Sequence, residues 1–154
     1  MKNEKLSIEF GIPEHGWLPV KIAFNSFRLE FNASGVPANP IDQLISSLRS
    51  VIQGIKAEVW WHLEPEGYYF EFEKFSGEYT LNISFAKSEN SDREIVFKTN
   101  GSFESLISPV YRAIKKFADN QYVSQNWPIA DKTELEKLTE LVNEAKLHRT
   151  TPKL

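Results

Sequence analysis

Alternation of apolar and polar residues with a period of two is the feature that most constrains the fold of this chain. In the first run Leu6, Ile8 and Phe10 fall on one side, and polar residues fall between them. Two more runs alternate in the same way, over residues 20–24 and 27–33. Successive side chains of a strand point to opposite faces, so such runs indicate antiparallel strands with one buried face.

A change of period predicts a helix after the third run. Asn39 can cap its first turn and Pro40 suits the first helical position. Apolar residues then recur at helical spacing, and Gly54 is placed to end the helix in the left-handed conformation. We therefore predict a helix over residues 40–53. Its apolar stripe consists of Ile41, Leu44, Ile45, Leu48, Val51 and Ile52.

Alternation then predicts four further strands, which run approximately over residues 56–64, 67–75, 78–87 and 93–99. The first two are aromatic and are joined by the turn Pro65-Glu66-Gly67. Proline pre-sets φ at the second position of such a turn, and Gly67 is expected to supply a positive φ.

Two helices are predicted in the last third of the chain. Ser102 is expected to cap the first, in which Pro109 removes a hydrogen bond and produces a kink. Asp131 and Glu134 resemble a capping box that opens the second. Residues 119–130 are interpreted as a connector, and residues 148–154 as a basic, frayed tail.

The order β-β-β-α-β-β-β-β-α-α predicts an α+β fold. We expect a largely antiparallel, meandering sheet of about seven strands, with the helices packed on one face. Nothing in the composition marks a boundary, so residues 1–154 are interpreted as a single domain. A chain of 154 residues buries roughly 68–70% of the surface that it exposes when unfolded.

Composition narrows the classes of function. The chain has no cysteine, so thiolate metal sites and thiol nucleophiles are excluded. Its net charge of −3 does not suit a dedicated nucleic-acid binder, which carries a basic excess. Neither a signal peptide nor a run of ~18 apolar residues is recognisable. We therefore expect a cytoplasmic protein with no nucleic-acid or membrane partner.

Motifs of catalysis are absent from the sequence. It contains no dinucleotide or phosphate-binding glycine motif, no nucleophile elbow and no paired-histidine zinc motif. Three histidines are present, and none has a second histidine placed beside it by local sequence. We expect no catalytic residue, no metal and no cofactor. The alternative is an acid–base pair formed by His62 and Glu64 near a small-molecule pocket.

One face of the aromatic hairpin concentrates rings and carboxylates. Large rings anchor interfaces, and clustered carboxylates attract a basic partner. We interpret this face as a protein-binding site, while ordinary cross-strand packing of covered rings is the competing interpretation. The charged run Asp92-Arg93-Glu94 is interpreted as solvated surface. The predicted site consists of Trp60, His62, Glu64, Tyr69, Glu71 and Glu73.

Residues 15 to about 85 also resemble a group of small bacterial proteins of unassigned function. The likeness lies in His15-Gly16-Trp17-Leu18-Pro19-Val20-Lys21-Ile22, in Asn39-Pro40-Ile41-Asp42-Gln43-Leu44, and in the hairpin from Trp60 to Tyr68. Some of these proteins look like immunity proteins of contact-dependent or polymorphic toxin systems. The resemblance implies a cytoplasmic protein that binds and blocks a cognate toxin domain without catalysis.

Three functions are thus expected from the sequence, in different classes. The first is a non-enzymatic binding protein, immunity-like, with a protein partner that could be a basic toxin domain. The second is a small-molecule-binding protein or enzyme that uses His62 and Glu64. The third is a homo-oligomeric structural or interaction protein assembled through an open sheet edge.

Overall fold

The computed structural model describes residues 5–120, 126–128 and 131–150, with side chains up to residue 147. Within them the strands are β1 Ser7–Phe10, β2 Trp17–Phe24, β3 Phe27–Ser34, β4 Ala57–His62, β5 Gly67–Phe75, β6 Glu78–Ala86 and β7 Arg93–Gly101. The helices are α1 Pro40–Ile52, α2 Ser108–Asp119 and α3 Lys132–Thr150, and a π-helical turn, Phe103–Ile107, precedes α2. The fold is α+β, as predicted.

The strands form two antiparallel sheets, so the prediction of a single seven-stranded sheet was wrong. One sheet has the order β1-β2-β3, and the other has the order β4-β5-β6-β7. Helix α1 lies between β3 and β4 in the chain, and these two strands are not hydrogen-bonded neighbours. The helices do not share one sheet face either, because α1 packs on β4 and β5 while α2 packs on β1. Alternation identifies strands, but it does not say which strands pair across a helix.

Local signals set the ends of α1 as predicted. The Asn39 side chain accepts a hydrogen bond of 3.0 Å from the backbone N–H of Ile41, and Pro40 begins the helix. Gly54 follows the last turn with a φ of +86°, a conformation that costs glycine little.

Helix α1 also seals the outer edge of β4. Gln43 Oε1 accepts a hydrogen bond of 3.1 Å from the backbone N–H of Trp60. Ser47 Oγ donates a hydrogen bond of 3.0 Å to the carbonyl of Glu58. These side chains satisfy strand groups that would otherwise be open for pairing with another chain.

The main core lies between the inner faces of the two sheets. Phe31 of β3 contacts Trp61 and Phe70, with ring centroids 5.8 and 6.3 Å apart. Phe27 stacks on Phe97 of β7 at 4.2 Å. Helices α1, α2 and α3 add their apolar stripes to the same cluster. Large rings thus join both sheets into one apolar core.

The apolar stripe after Ser102 is divided between two kinds of helix. Ser102 caps the segment as predicted, because its side chain accepts a hydrogen bond from the backbone N–H of Ser105. The predicted kink inside an α-helix is replaced by the π-helical turn, in which the Ser108 N–H bonds to the Phe103 carbonyl. Pro109 then falls in the first turn of α2, where its missing N–H breaks no helical hydrogen bond.

Helix α3 adds polar contacts with α1 and α2 to its apolar contacts in the core. Asp131 Oδ1 accepts a hydrogen bond of 3.2 Å from the backbone N–H of Glu134, which confirms one half of the predicted capping box. The other half is absent, because the Asp131 N–H bonds to Asp42 and not to Glu134. Glu134 forms an ion pair with Arg49 of α1, and the Tyr111 hydroxyl of α2 donates to Thr139 at 2.9 Å. The backbone stays helical to Thr150; the rest of the predicted tail and most of the predicted connector lie outside the described residues.

Candidate functional site

The face of β4 and β5 that points away from the main core holds most of the predicted binding residues, and we call it the second face. Trp60 and Tyr69 pair across the two strands, with ring centroids 4.6 Å apart. Only 5% of Trp60 and 2% of Tyr69 is exposed to solvent. With Ala86 they form a small apolar cluster separate from the main core. Cross-strand packing, the competing interpretation, therefore describes these two rings.

Arg93 covers this cluster from β7. Its guanidinium lies over the Tyr69 ring, 3.5 Å from the centroid. It donates hydrogen bonds of 2.8 and 3.1 Å to Glu58, and a further bond of 3.0 Å to Glu71. The hydrogen bond to Glu58 is the main cause that raises the pKa of Arg93, against the opposing effect of partial burial. One cation thus balances two carboxylates of the second face.

Neither Glu58 nor Arg93 was among the predicted site residues. Glu58 shares the predicted face, but Arg93 belongs to a run that was interpreted as solvated surface. Arg93 lies 22 residues from Glu71 and 35 from Glu58 along the chain, so no local pattern connects them. The pairing of β7 with β6 brings Arg93 opposite Ala86, and this register is visible in the structure and not in the local sequence.

His62 belongs to the second face as well. Trp60 Nε1 donates a hydrogen bond of 3.1 Å to His62 Nδ1. The Trp60 ring also covers Gly67, the residue opposite His62 in the hairpin. His62 is thereby held by an indole. A histidine that acts as a general base is commonly oriented by a carboxylate instead.

Glu64 and Glu73 lie apart from this cluster. Glu64 has a positive φ of 71° and directs its Oε1 to within 3.5 Å of the Ser34 hydroxyl on β3. The positive φ that was predicted for Gly67 therefore belongs to Glu64. Glu73 is exposed farther along β5. Four of the six predicted residues come together on the second face: Trp60, His62, Tyr69 and Glu71.

A groove of about 410 Å³ opens elsewhere, between β1 and α2, and we call it the β1–α2 groove. Strand β1 is an edge strand of the three-stranded sheet. Its side of the groove is formed by residues 6–10. The other side is formed by α2 and its C-cap, in two rows of residues four apart: Pro109, Ala113 and Phe117 in one row, and Arg112, Lys116 and the C-cap Asn120 in the other.

The outer edge of β1 carries backbone groups that do not bond to β2. The Gly11 N–H bonds to the Pro19 carbonyl of β2, which places the odd-numbered residues of β1 in the hydrogen-bonded pairs of this ladder. Even-numbered residues then point their N–H and C=O groups outward. The Leu6 N–H does so and bonds to the Ser105 carbonyl. Ile8 and Phe10 point outward too, and no hydrogen bond to their N–H groups occurs within the described residues.

The rim of the β1–α2 groove carries more positive than negative charge. Arg112 and Lys116 are exposed, and neither forms an ion pair with another described residue. Glu9 is the one acidic side chain in the lining that the structure describes. The floor is apolar, since Pro109 and Phe117 are buried beneath the rim.

Other kinds of site find little support in the described part of the chain. No group of three or more histidine, aspartate or glutamate residues there could hold a metal ion. No helix in those ranges is long and apolar enough to cross a membrane. Comparisons of the chain with protein-family models, with curated proteins and with solved structures give no match.

Proposed function

We propose that this chain is a non-enzymatic protein-binding domain whose binding surface includes the β1–α2 groove. The observation that supports this proposal best is the outer edge of β1, where the peptide groups of Ile8 and Phe10 lie on the side of the strand away from β2, along the β1–α2 groove. An open strand edge beside a helix can accept an extended segment of another protein, because main-chain hydrogen bonds supply affinity that is independent of sequence. An apolar floor surrounded by a polar or charged rim is an arrangement typical of protein interfaces.

The partner class within this proposal comes from the resemblance to immunity proteins. A cytoplasmic immunity protein binds the toxin domain encoded beside it and blocks that domain by occupying its surface. The alternative contact surface for a basic toxin domain is the second face, together with the exposed carboxylates Glu64 and Glu73 that lie apart from its ring cluster. The rings of the second face are covered and Glu71 is paired with Arg93. The second face therefore has fewer side chains left to bind a partner than the groove has.

The acid–base alternative gains less from the geometry. His62 is bonded to Trp60, and no hydrogen bond joins His62 to Glu64 within the described residues. The core behind Phe70 and Phe72 is filled, with each side chain 1% exposed. The groove between β1 and α2 is lined by neither His62 nor Glu64.

Co-purification tests the proposal and separates the two surfaces. The tagged chain is expressed together with the product of the neighbouring gene, either unchanged or as one of two double charge reversals. Arg112→Glu with Lys116→Glu alters the groove, and Glu64→Lys with Glu73→Lys alters the other surface. We expect the unchanged chain and the Glu64/Glu73 variant to retain the partner, and the Arg112/Lys116 variant to lose it.

Each other result overturns a defined part of the proposal. Loss of the partner only in the Glu64/Glu73 variant would show that these carboxylates, and not the groove, bind the partner. If both variants retained the partner, neither surface would be the binding site. An unchanged chain that does not retain the neighbouring product would contradict the immunity-like assignment. Light scattering of the free chain addresses the third function, since a homo-oligomer would show a multiple of the 17.8 kDa mass.

A further inference from the structure

We infer that the β1–α2 groove binds an extended, acidic segment of the partner as an additional strand on β1. This inference rests on the proposed protein-binding function and names the ligand that the groove would take. It is carried by three properties of the groove: the direction of the free peptide groups, the pattern of side chains on α2, and the charge of the rim.

The outward peptide groups of Ile8 and Phe10 specify an extended ligand. Ile8 and Phe10 alternate with residues that pair with β2, so their outward groups are spaced two residues apart along the edge. Only a strand repeats its N–H and C=O groups with that spacing. A helix satisfies its own peptide groups and has none to offer to such an edge.

The side chains of α2 specify what such a strand would carry toward the helix. Pro109, Ala113 and Phe117 form the row at the floor, and the small side chain of Ala113 lies at its middle. Alternate residues of the added strand would face this row, because side chains of a strand alternate between two faces. A groove of about 410 Å³ is in the usual range of ~300–1,000 Å³ for ligand sites, which suits a short segment.

The rim specifies acidic side chains in the ligand. Arg112 and Lys116 lie one helical turn apart on the outer row, with Asn120 continuing it. Two cations that form no ion pair with another residue of the described ranges attract carboxylates and accelerate their association. Glu9 is a single opposing charge on the β1 side, so it reduces this preference without reversing it.

Synthetic peptides test the inference without knowledge of the natural partner. The probe is a short labelled peptide of alternating valine and glutamate, and its counterpart alternates valine and lysine. Fluorescence anisotropy measures binding, and amide hydrogen exchange reports on β1. We expect the acidic peptide to bind and to slow exchange at Ile8 and Phe10. Exchange at Ser7 and Glu9 should stay slow throughout, since those residues pair with β2.

Charge variants on α2 provide the matched comparison. Arg112→Glu combined with Lys116→Glu should weaken the acidic peptide about tenfold or more, because attraction at two sites becomes repulsion. Lys115→Glu makes the same kind of change on the same helix outside the groove lining, and it should change the affinity less than about twofold. Circular dichroism of each variant confirms that the helix content is unchanged.

Several results would overturn the inference while leaving protein binding intact. Equal affinity for the lysine peptide would show that the groove does not prefer acidic segments. Binding without slower exchange at Ile8 and Phe10 would show that the peptide does not add to β1 as a strand. Slow exchange at these two amides in the free monomer would show that the chain itself occupies the edge. A dimer that dissociates when peptide binds would identify a second copy as the occupant. These results are distinct from a failure of the proposed protein-binding function, which would appear as loss of co-purification of the neighbouring gene product with the unchanged chain.

Discussion

Gly67 lies where the ring of Trp60 meets the backbone of β4, and this position leaves no space for a side chain. A Cβ at Gly67 would stand 2.6 Å from Trp60 Cη2 and would overlap the carbonyl oxygen of Trp61. Its φ is not in the left-handed region, so the requirement for glycine is one of space. Gly67 and Ala86, paired across β5 and β6, thus present small residues where the indole packs.

We expect Gly67→Ala to lower the free energy of unfolding by roughly 1–3 kcal/mol, because a methyl group would overpack this contact. Urea denaturation followed by tryptophan fluorescence measures the change. Gly35→Ala is the matched control, since its Cβ would approach no heavy atom closer than 3.4 Å, and it should change stability by less than about 0.5 kcal/mol. An equal loss of stability in both variants would show that the lack of space for a side chain does not explain the glycine at position 67.

At the scale of elements, α1 and α3 meet at a pair of carboxylates. Asp42 in the first turn of α1 accepts a hydrogen bond of 3.3 Å from the backbone N–H of Asp131. Burial is the main cause that raises the pKa of Asp42; the hydrogen bond opposes it, and the charge of Asp131 adds to it. The charged form of Asp42 is therefore less favourable in the folded chain than in the unfolded chain.

This shift has a defined sign in a pH titration of stability. A pKa that is raised on folding contributes stability at acid pH, and that contribution is lost as the pH rises through the folded pKa. Asp42→Asn keeps the acceptor oxygen and removes the titration. We subtract the free energy of unfolding of the unchanged chain from that of Asp42→Asn. This difference should be more positive at neutral pH than below pH 3.8, the ordinary pKa of aspartate.

Urea midpoints of both chains across this pH range measure the effect. Asp92→Asn, at an exposed position, controls for the loss of one negative charge. A difference between Asp42→Asn and the unchanged chain that stayed constant over the pH range would show that folding does not raise the pKa of Asp42.

The elements that local chemistry determines could be predicted from the sequence. The caps at Asn39, Ser102 and Asp131 were predicted because each acts within three residues of its own position. The succession of strands along the chain was predicted, because alternation is a property of each run. The cover on Trp60 and Tyr69 could not be predicted, since it depends on β7 returning beside β6. The partition into two sheets depends likewise on distant pairing.

At the scale of the whole molecule, one core joins both sheets and the helices. Phe31 is the clearest junction, because a residue of the three-stranded sheet contacts Trp61, Tyr68 and Phe70 of the hairpin. A ring in this position contributes to both sheets at once. Its removal should therefore affect the whole molecule and not one sheet alone.

Phe31→Ala is expected to cost about 3–5 kcal/mol, and the two sheets should still unfold in a single transition. Chemical denaturation followed by fluorescence and by far-ultraviolet circular dichroism tests both statements. Phe75→Ala removes the same ring from a position that is 79% exposed, and it should change stability by less than about 0.5 kcal/mol. Separate transitions for the two probes would contradict the single core.

The seal that α1 places on β4 limits how copies of this protein can assemble. A fibril that grows through a sheet needs two free edges in each copy, one to receive a strand and one to offer. In the four-stranded sheet, Gln43 and Ser47 occupy one edge, and the irregular register near Val96 distorts the other. Open-ended polymerisation through this sheet therefore lacks one of the two surfaces that it requires.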